Sequence, residues 1–504
     1  MKQTPIGLPQ YLYRAAEVRA LDEIAIKKYL ISGETLMEHA GAAAFNMLKK
    51  NWPDAKNIKV VCGSGNNGGD GYVIARLAHE AGLAVHALHT DSLAQLKGDA
   101  KIAADKLVAA GVKPEKYAEG CVEHSDLIVD ALLGTGLDRE VTGQIKNIIE
   151  DINISSSPVL SIDIPSGLNA NTGRIMGSVV IAEATITFIG LKQGLFTGQG
   201  PACTGRVCFN DLDVPSEIYN DITPTALRID LKNQLPLLPK RSQTAHKGDF
   251  GHVLIIGGDL GFAGAALMAA EAAGRIGAGL VSLATRSQHA VHISTARPEI
   301  MAHAVEQAAQ LSGLLQRANV IAIGPGLGQS EWSLMLLAKV LESRLPLVVD
   351  ADALNLLAQE PIHNDHWILT PHPGEAARLL NCSSADIQYD RFAAVRELQK
   401  RYGGVIVLKG SGTLVMDATG NVAVCSDGNP GMATGGMGDV LTGVIAGLLA
   451  QGLNPVDAAR LGVCVHAAAG DEAAKMGEQG MLATDLMSWL RRLVNLPRIN
   501  IPRN

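Results

Sequence analysis

Short apolar runs that alternate with helical stretches constrain this chain more than any other feature. NIKVVC, AVHALH, DLIVDALL, PVLSIDI and ATITFIG recur between residues 57 and 190, separated by amphipathic or Ala-rich segments. Strands spaced this widely are joined by crossovers, not hairpins, so they run mostly parallel in one sheet. Helices cover both faces of such a sheet, which is why each run is nearly all apolar. Ahead of the first run, residues 14–50 read as two helices, with Ser32 capping the second. From His252 the alternation restarts with HVLIIGG, GLVSLAT, NVIAIG, PLVVDAD, WILTPHP, VIVLKG and TLVMD, and the segment after Gly435 reads as a helix, DVLTGVIAGLLA.

The fold class is therefore α/β, with two αβα domains. At 504 residues the chain is too long for one core. Residues 1–220 form the first domain, 221–245 a connection and 246–504 the second; around 205–247 prolines and mixed polar residues interrupt both periodicities. A net charge of -7 weighs against nucleic-acid and membrane-surface partners. The cysteines number 7, form no CxxC pair and suit a reducing compartment, so a cytoplasmic protein is expected. Small-molecule substrates and a homo-oligomeric assembly are expected as well. The 14 histidines show no metal-ligand spacing and read as ordinary surface or core residues.

In an open parallel sheet, ligands bind beyond the carboxyl ends of the strands. Three polar clusters of the first domain fall there: Asn66-Asn67-Gly68-Gly69-Asp70; Asp130 followed by Gly134-Thr135-Gly136-Leu137-Asp138-Arg139-Glu140; and Asp163 with Ser166. Each has a plain structural explanation, since glycines make tight βα turns and Asp caps helices. Together they indicate a shared site. Glycine-loop N–H groups at a helix start would receive a phosphate. Asn67, Asp130 and Ser166 offer oxygen ligands suited to a hard cation, and Asp163 is placed to move a proton. Gly63-x-Gly65-x-x-Gly68 also spells a dinucleotide fingerprint, with Asp91 as a ribose ligand, but Gly69-Asp70 puts a charge where small apolar residues are usual.

The second domain carries GNPGMATGGMGDVLTG, in which Gly435, Gly436 and Gly438 lead into Asp439 at a helix start. Such N–H groups can cradle a transferring phosphoryl group, with Asp439 as a base beside them or as a mere cap. Lys409-Gly410-Ser411-Gly412-Thr413 follows a strand and offers backbone, hydroxyl and ammonium groups to a nucleotide, although its spacing is not that of a Walker A loop. GPGLG (324–328) and TPHPGE (370–375) end two more strands, and His372 is equally a substrate ligand or a polar turn residue.

GSGNNGGDGYVIARLA, DALLGTGLDREVTG and SIDIPSGLNANTG, over roughly residues 10–215, resemble the NAD(P)H-hydrate epimerases in content and order. The resemblance implies a Rossmann-like domain that interconverts R and S hydrates. Asn66 through Asp70 and Gly134 through Glu140 would contact substrate, Asn67, Asp130 and Ser166 would hold a potassium ion, and Asp163 would be catalytic. IGGDLGFAGAALMAAEAAGRIGAG, GPGLG, DADALN, TPHPGE, LKGSGT and GNPGMATGGMGDVLTG, over about 245–490, resemble the ADP-dependent NAD(P)H-hydrate dehydratases of the ribokinase-like superfamily. That likeness implies that Ala265, Gly326, His372 and Asp439 contact the S hydrate, that Lys409 through Thr413 and Gly438 bind ADP with magnesium, and that Asp439 is the base. A bifunctional repair enzyme is the expectation. A ribokinase-like kinase of a small molecule, fused to a nucleotide-sensing domain, is the alternative.

Overall fold

The computed structural model describes residues 7–90 and 93–496, so Asp91 lies outside the described residues. The chain divides into two compact units, Met1–Leu227 and Arg228–Asn504.

The first unit's parallel sheet contains β1 (Asn57–Cys62), β2 (Ala84–His89), β3 (Glu115–Lys116), β4 (Leu127–Ala131), β5 (Val159–Ile162), β6 (Ala184–Phe188) and β7 (Arg206–Asn210). They form one sheet in the order 3-2-1-4-5-6-7, with every pairing parallel. The period of two along each strand sends side chains to two cores. Ile58, Val60, Leu127 and Val129 pack with helices α1 (Ala15–Lys27), α2 (Gly33–Asn51), α3 (Asn66–Glu80) and α4 (Gly98–Ala109), whereas Val61 and Ile128 face α5 (Gly143–Ile154). Ser32 caps α2, its side chain accepting from the Thr35 N–H at 3.1 Å.

Two strands of this sheet escaped the hydropathy reading. β3 has only two residues, both exposed, and in β7 only Val207 is buried. β7 lies where the periodicity loosens after residue 205, because a sheet-edge strand does not need a continuous apolar run.

The second unit's sheet contains β8 (His252–Ile256), β9 (Leu280–Thr285), β10 (Met301–Ala304), β11 (Val320–Ile323), β12 (Leu347–Val349), β13 (Trp367–Leu369), β14 (Val405–Leu408), β15 (Leu414–Met416) and β16 (Val422–Cys425). Their order is 10-9-8-11-12-13-14-15-16, parallel as far as β14 and antiparallel beyond it. Helix α6 (Ala263–Ile276) follows the loop after β8, and α7 (Ala351–Gln359) and α8 (Pro373–Leu380) follow β12 and β13. Helix α9 (Met437–Ala450) is buried nearly throughout. Gly443 and Gly447 let it lie against α6: a Cβ at Gly443 would stand 2.0 Å from the Ala269 carbonyl oxygen, and one at Gly447 would stand 2.3 Å from an Ile276 methyl. This close packing fixes where the amino end of α9 sits.

Candidate functional sites

β1, β4 and β5 are neighbours in the first sheet, so the three sequence clusters emerge side by side at its carboxyl edge. The chain reverses its direction of travel across the sheet between β1 and β4, the position where open α/β sheets bind ligands. The fingerprint glycines serve packing here. A Cβ on Gly68 would lie 1.9 Å from the Gly63 carbonyl oxygen, and one on Gly63 would lie 1.9 Å from that of Leu132. Gly65 caps α3 with open space around it.

Asp130, fully buried at the end of β4, organises the centre. Its Oδ1 accepts from the Ser166 hydroxyl at 2.5 Å, and its Oδ2 from the Ser161 hydroxyl at 2.8 Å and the Ser166 N–H at 2.9 Å. Burial pushes its carboxyl up, against the pull of these bonds. The Leu133 N–H donates to Ser166 Oγ at 2.8 Å, which joins the second loop to the third. Asn67 is 9% exposed, yet its Oδ1 and Nδ2 find no hydrogen-bond partner among the described residues. Gly134 closes over this amide, a Cβ there lying 3.4 Å from Asn67 Cβ. Of the two unsatisfied amide atoms, Oδ1 is an oxygen that a hard cation could take as a ligand, whereas Nδ2 can only donate.

Asp163 follows β5 with φ +67, a region non-glycine residues seldom occupy. Its N–H donates to the Ile186 carbonyl at 2.7 Å, and its Oδ1 is ion-paired with Lys192. Asp22 of α1 and Asp70 of α3 stand in the same field. Burial and the charge of Asp163 push Asp22 up to about 6, and burial with Asp163 and Asp22 pushes Asp70 well above the usual carboxylate range. Asn66 is exposed at the start of α3, and Gly136, Asp138, Arg139 and Glu140 lie exposed on the second loop, where Glu140 pairs with Arg174 at 3.4 Å. Thr135 and Leu137 are half-buried between them. Lys192 and Asp22 carry no motif signature; a lysine two residues past an apolar run was the one available hint.

In the second unit, the GPGLG, DADALN, TPHPGE and LKGSGT segments leave the adjacent parallel strands β11, β12, β13 and β14 at one edge. The first turn of α9 begins at Gly436, its N-cap, with φ +91, so its first N–H groups lack intrahelical partners. Asp439 stands within that turn, not at the cap. Burial, and then Asp350, Asp352 and Glu375, push its carboxyl up to about 7 against the pull of Lys409.

Lys409 sits under the turn, where a Cβ on Gly438 would meet its Nζ at 3.1 Å. The ammonium donates to Asp350 Oδ1 at 2.6 Å and lies 3.7 Å from Glu375, and Thr442 donates to Asp350 Oδ2 at 2.7 Å. Burial would raise Asp350, but Lys409 and these bonds hold it below the usual range. The rest of the LKGSGT loop is stiffened from behind by the fully buried Arg391, which donates to the carbonyls of Leu408 at 3.1 Å and Lys409 at 3.2 Å. Within the loop, the Thr413 hydroxyl donates to the Gly410 carbonyl at 3.0 Å, and Gly410 and Gly412 take positive φ.

His372 caps α8: its Nδ1 accepts from the Gly374 N–H at 2.9 Å and the Glu375 N–H at 3.3 Å. Burial, Lys409 and Arg378 lower its pKa, and because Nδ1 accepts, Nε2 on the half-exposed ring carries the N–H. Gly326 adjoins Ala265, a Cβ at Gly326 lying 3.1 Å from Ala265 Cβ, and Asp352 accepts from the Gly328 N–H at 2.9 Å. Asp350, Glu375 and Arg391 were not singled out by spacing. Asp350 lies inside DADALN, where it looks like an ordinary cap.

A family model described as NAD(P)H-hydrate dehydratase matches residues 253–492, and one described as YjeF-related protein N-terminus matches 33–194. A Coxiella burnetii protein named bifunctional NAD(P)H-hydrate repair enzyme Nnr is 49% identical over 96% of this chain and 99% of its own. An Escherichia coli protein of the same name is 46% identical over 98% and 96%. Among solved structures, a ribokinase-like superfamily protein from Enterococcus faecalis is 31% identical, with a TM-score of 0.50 over 53% of this chain and 94% of that one.

Proposed function

This chain belongs to the bifunctional NAD(P)H-hydrate repair enzymes, and from that membership we propose how its residues divide the repair. The first unit epimerises the R and S hydrates of NADH and NADPH. The second dehydrates the S hydrate with ADP, so the fused chain empties the whole mixture. The observation that supports this division is the presence of two separate strand-edge sites, each with a carboxylate and a helix start suited to phosphate.

In the first unit, the α3 amino end and the Gly134–Glu140 loop receive the phosphates and ribose of the hydrate. Asp163 gives a proton to the departing C6 hydroxyl, which leaves as water as the ring nitrogen donates its lone pair. Asp163 then takes a proton from water returning to the opposite face, so the exchange is proton-neutral. Asn67, Asp130 and Ser166 fit a potassium ion as oxygen ligands, because the Asn67 Oδ1 is otherwise without a partner among the described residues. Such an ion, when bound, supplies fixed positive charge for the dinucleotide.

In the second unit, Asp439 takes the proton of the C6 hydroxyl, whose oxygen attacks the terminal phosphoryl of ADP and releases AMP. The α9 amino end stabilises charge on the phosphoryl oxygens. The ring nitrogen then expels phosphate, and loss of a C5 proton restores the nicotinamide double bond. Lys409 through Thr413 and Gly438 hold the nucleotide, and Ala265, Gly326 and His372 hold the hydrate. Magnesium accompanies the ADP. The Lys409 ammonium is held by Asp350 and Glu375, so its part is to set the charge beneath Gly438.

Asn67→Leu tests the cation site. Exchanging an unsatisfied buried amide for an apolar group of like size is near neutral for stability. In the parent, potassium at 100 times its Kd adds about 2.7 kcal/mol, raising Tm by roughly 2–4 °C per kcal/mol. The variant loses that rise and the potassium dependence of epimerisation; a potassium response that survives contradicts the assignment.

A further inference from the structure

Lys192 belongs to no loop motif, yet it is the most completely enclosed cation of the first unit's site. It is 0% exposed, and its ammonium meets Asp163 Oδ1, Thr187 Oγ1 at 2.9 Å and the Phe188 carbonyl at 3.1 Å. Three acceptors occupy all three of its N–H groups, so it has no donor left for substrate. A lysine that only stapled the backbone would need the Phe188 carbonyl alone. Here the cation also grips one oxygen of a carboxylate whose backbone is already held in the left-handed region at φ +67.

The Thr187 hydroxyl approaches that same Oδ1 at 3.4 Å. Oδ2 has no hydrogen-bond partner among the described residues, and 17% of the Asp163 side chain remains exposed. One oxygen is thus fixed and the other is open. Asp22 on α1 and Asp70 on α3 add two more carboxyls to the surroundings, and Lys192 is the cation whose charge both of them feel.

We propose that Lys192 is the positioning residue of the epimerisation site: it clamps Oδ1 of Asp163, balances the carboxyls of Asp22 and Asp70, and leaves Oδ2 to exchange protons with the C6 hydroxyl and the returning water. The inference rests on Asp163 being the reacting carboxylate. It assigns no substrate contact to Lys192. Its effect is expressed through the orientation and protonation of Asp163.

The test uses the full-length protein and follows R-to-S conversion of hydrated NADH across pH. Lys192→Met lowers kcat about 10²-fold, with KM changed less than about twofold, because the group lost acts on proton transfer and not on binding. Loss of the cation favours the protonated carboxyl, so the pH limb that reports Asp163 moves to higher pH. Lys192→Arg keeps the charge and restores the limb towards that of the parent. Lys192→Met with parental kcat and an unmoved limb overturns the proposal. If that variant does not fold, Thr187→Val takes its place, since it removes one acceptor and keeps the lysine; it must move the same limb in the same direction, and an unmoved limb again overturns the proposal. Asp163→Asn separates the two levels. If it is fully active, the reading of Asp163 fails; if it is inactive while Lys192→Met is fully active, only the role of Lys192 fails.

Discussion

Asp439→Asn abolishes the ADP-dependent recovery of NADH from the S hydrate, lowering kcat/KM by about 10²–10⁴-fold, the range for a positioned general base. The amide is nearly isosteric and keeps the turn geometry, so ADP still protects the variant against heating. Epimerisation in the first unit continues at the parental rate. The parent also carries a pH signature. Asp439 is pushed up to about 7, chiefly by burial and by Asp350. A base works only when deprotonated, so dehydratase kcat/KM is full above this value and falls as pH drops through it. Kinetics of Asp439→Asn and the parent across pH check both points. A variant with normal turnover, or a parental profile flat through neutrality, would remove Asp439 from the reaction.

Asp163→Asn produces the opposite loss. The S hydrate present at the start is repaired with ADP, and the R hydrate then remains, because its conversion slows by about 10²–10⁴-fold. Chromatographic separation of the epimers over time checks this. Spontaneous epimerisation sets the residual rate, so the comparison is made at protein concentrations where the parent is far faster. Equal disappearance of R and S in the variant would mean that the catalytic carboxylate lies elsewhere, with Asp70 and Asp22 the neighbouring candidates.

Much of this architecture is legible in the order of residues because parallel strands are buried on both faces. NIKVVC, DLIVDALL and HVLIIGG therefore stand out, whereas the edge strands Glu115–Lys116, Arg206–Asn210 and Met301–Ala304 satisfy one neighbour only and need no such signature. The site residues divide in the same way. Asn67, Asp130, Asp163 and Asp439 are polar groups at strand or helix ends, a position that chain order reveals. Lys192, Asp22, Asp350, Glu375 and Arg391 act through partners brought near by the fold. Arg391 reaches the Leu408 carbonyl from 17 residues away, and Lys409 reaches Asp350 across 59. Pairings of that separation leave no local pattern. His372 shows the reverse: its motif suggested a ligand or a turn, and the structure places its Nδ1 as the cap of α8 while the other edge of the ring remains half-exposed.

The division of labour between the units is tested most directly with a mixture of the R and S epimers of hydrated NADH, the full-length protein, potassium and magnesium. The nicotinamide absorbance is followed with and without ADP. Recovery that requires ADP and runs to completion, with AMP and phosphate formed one for one with NADH, is the predicted result. No recovery with ADP, or a stable phosphorylated hydrate in place of NADH, would contradict it.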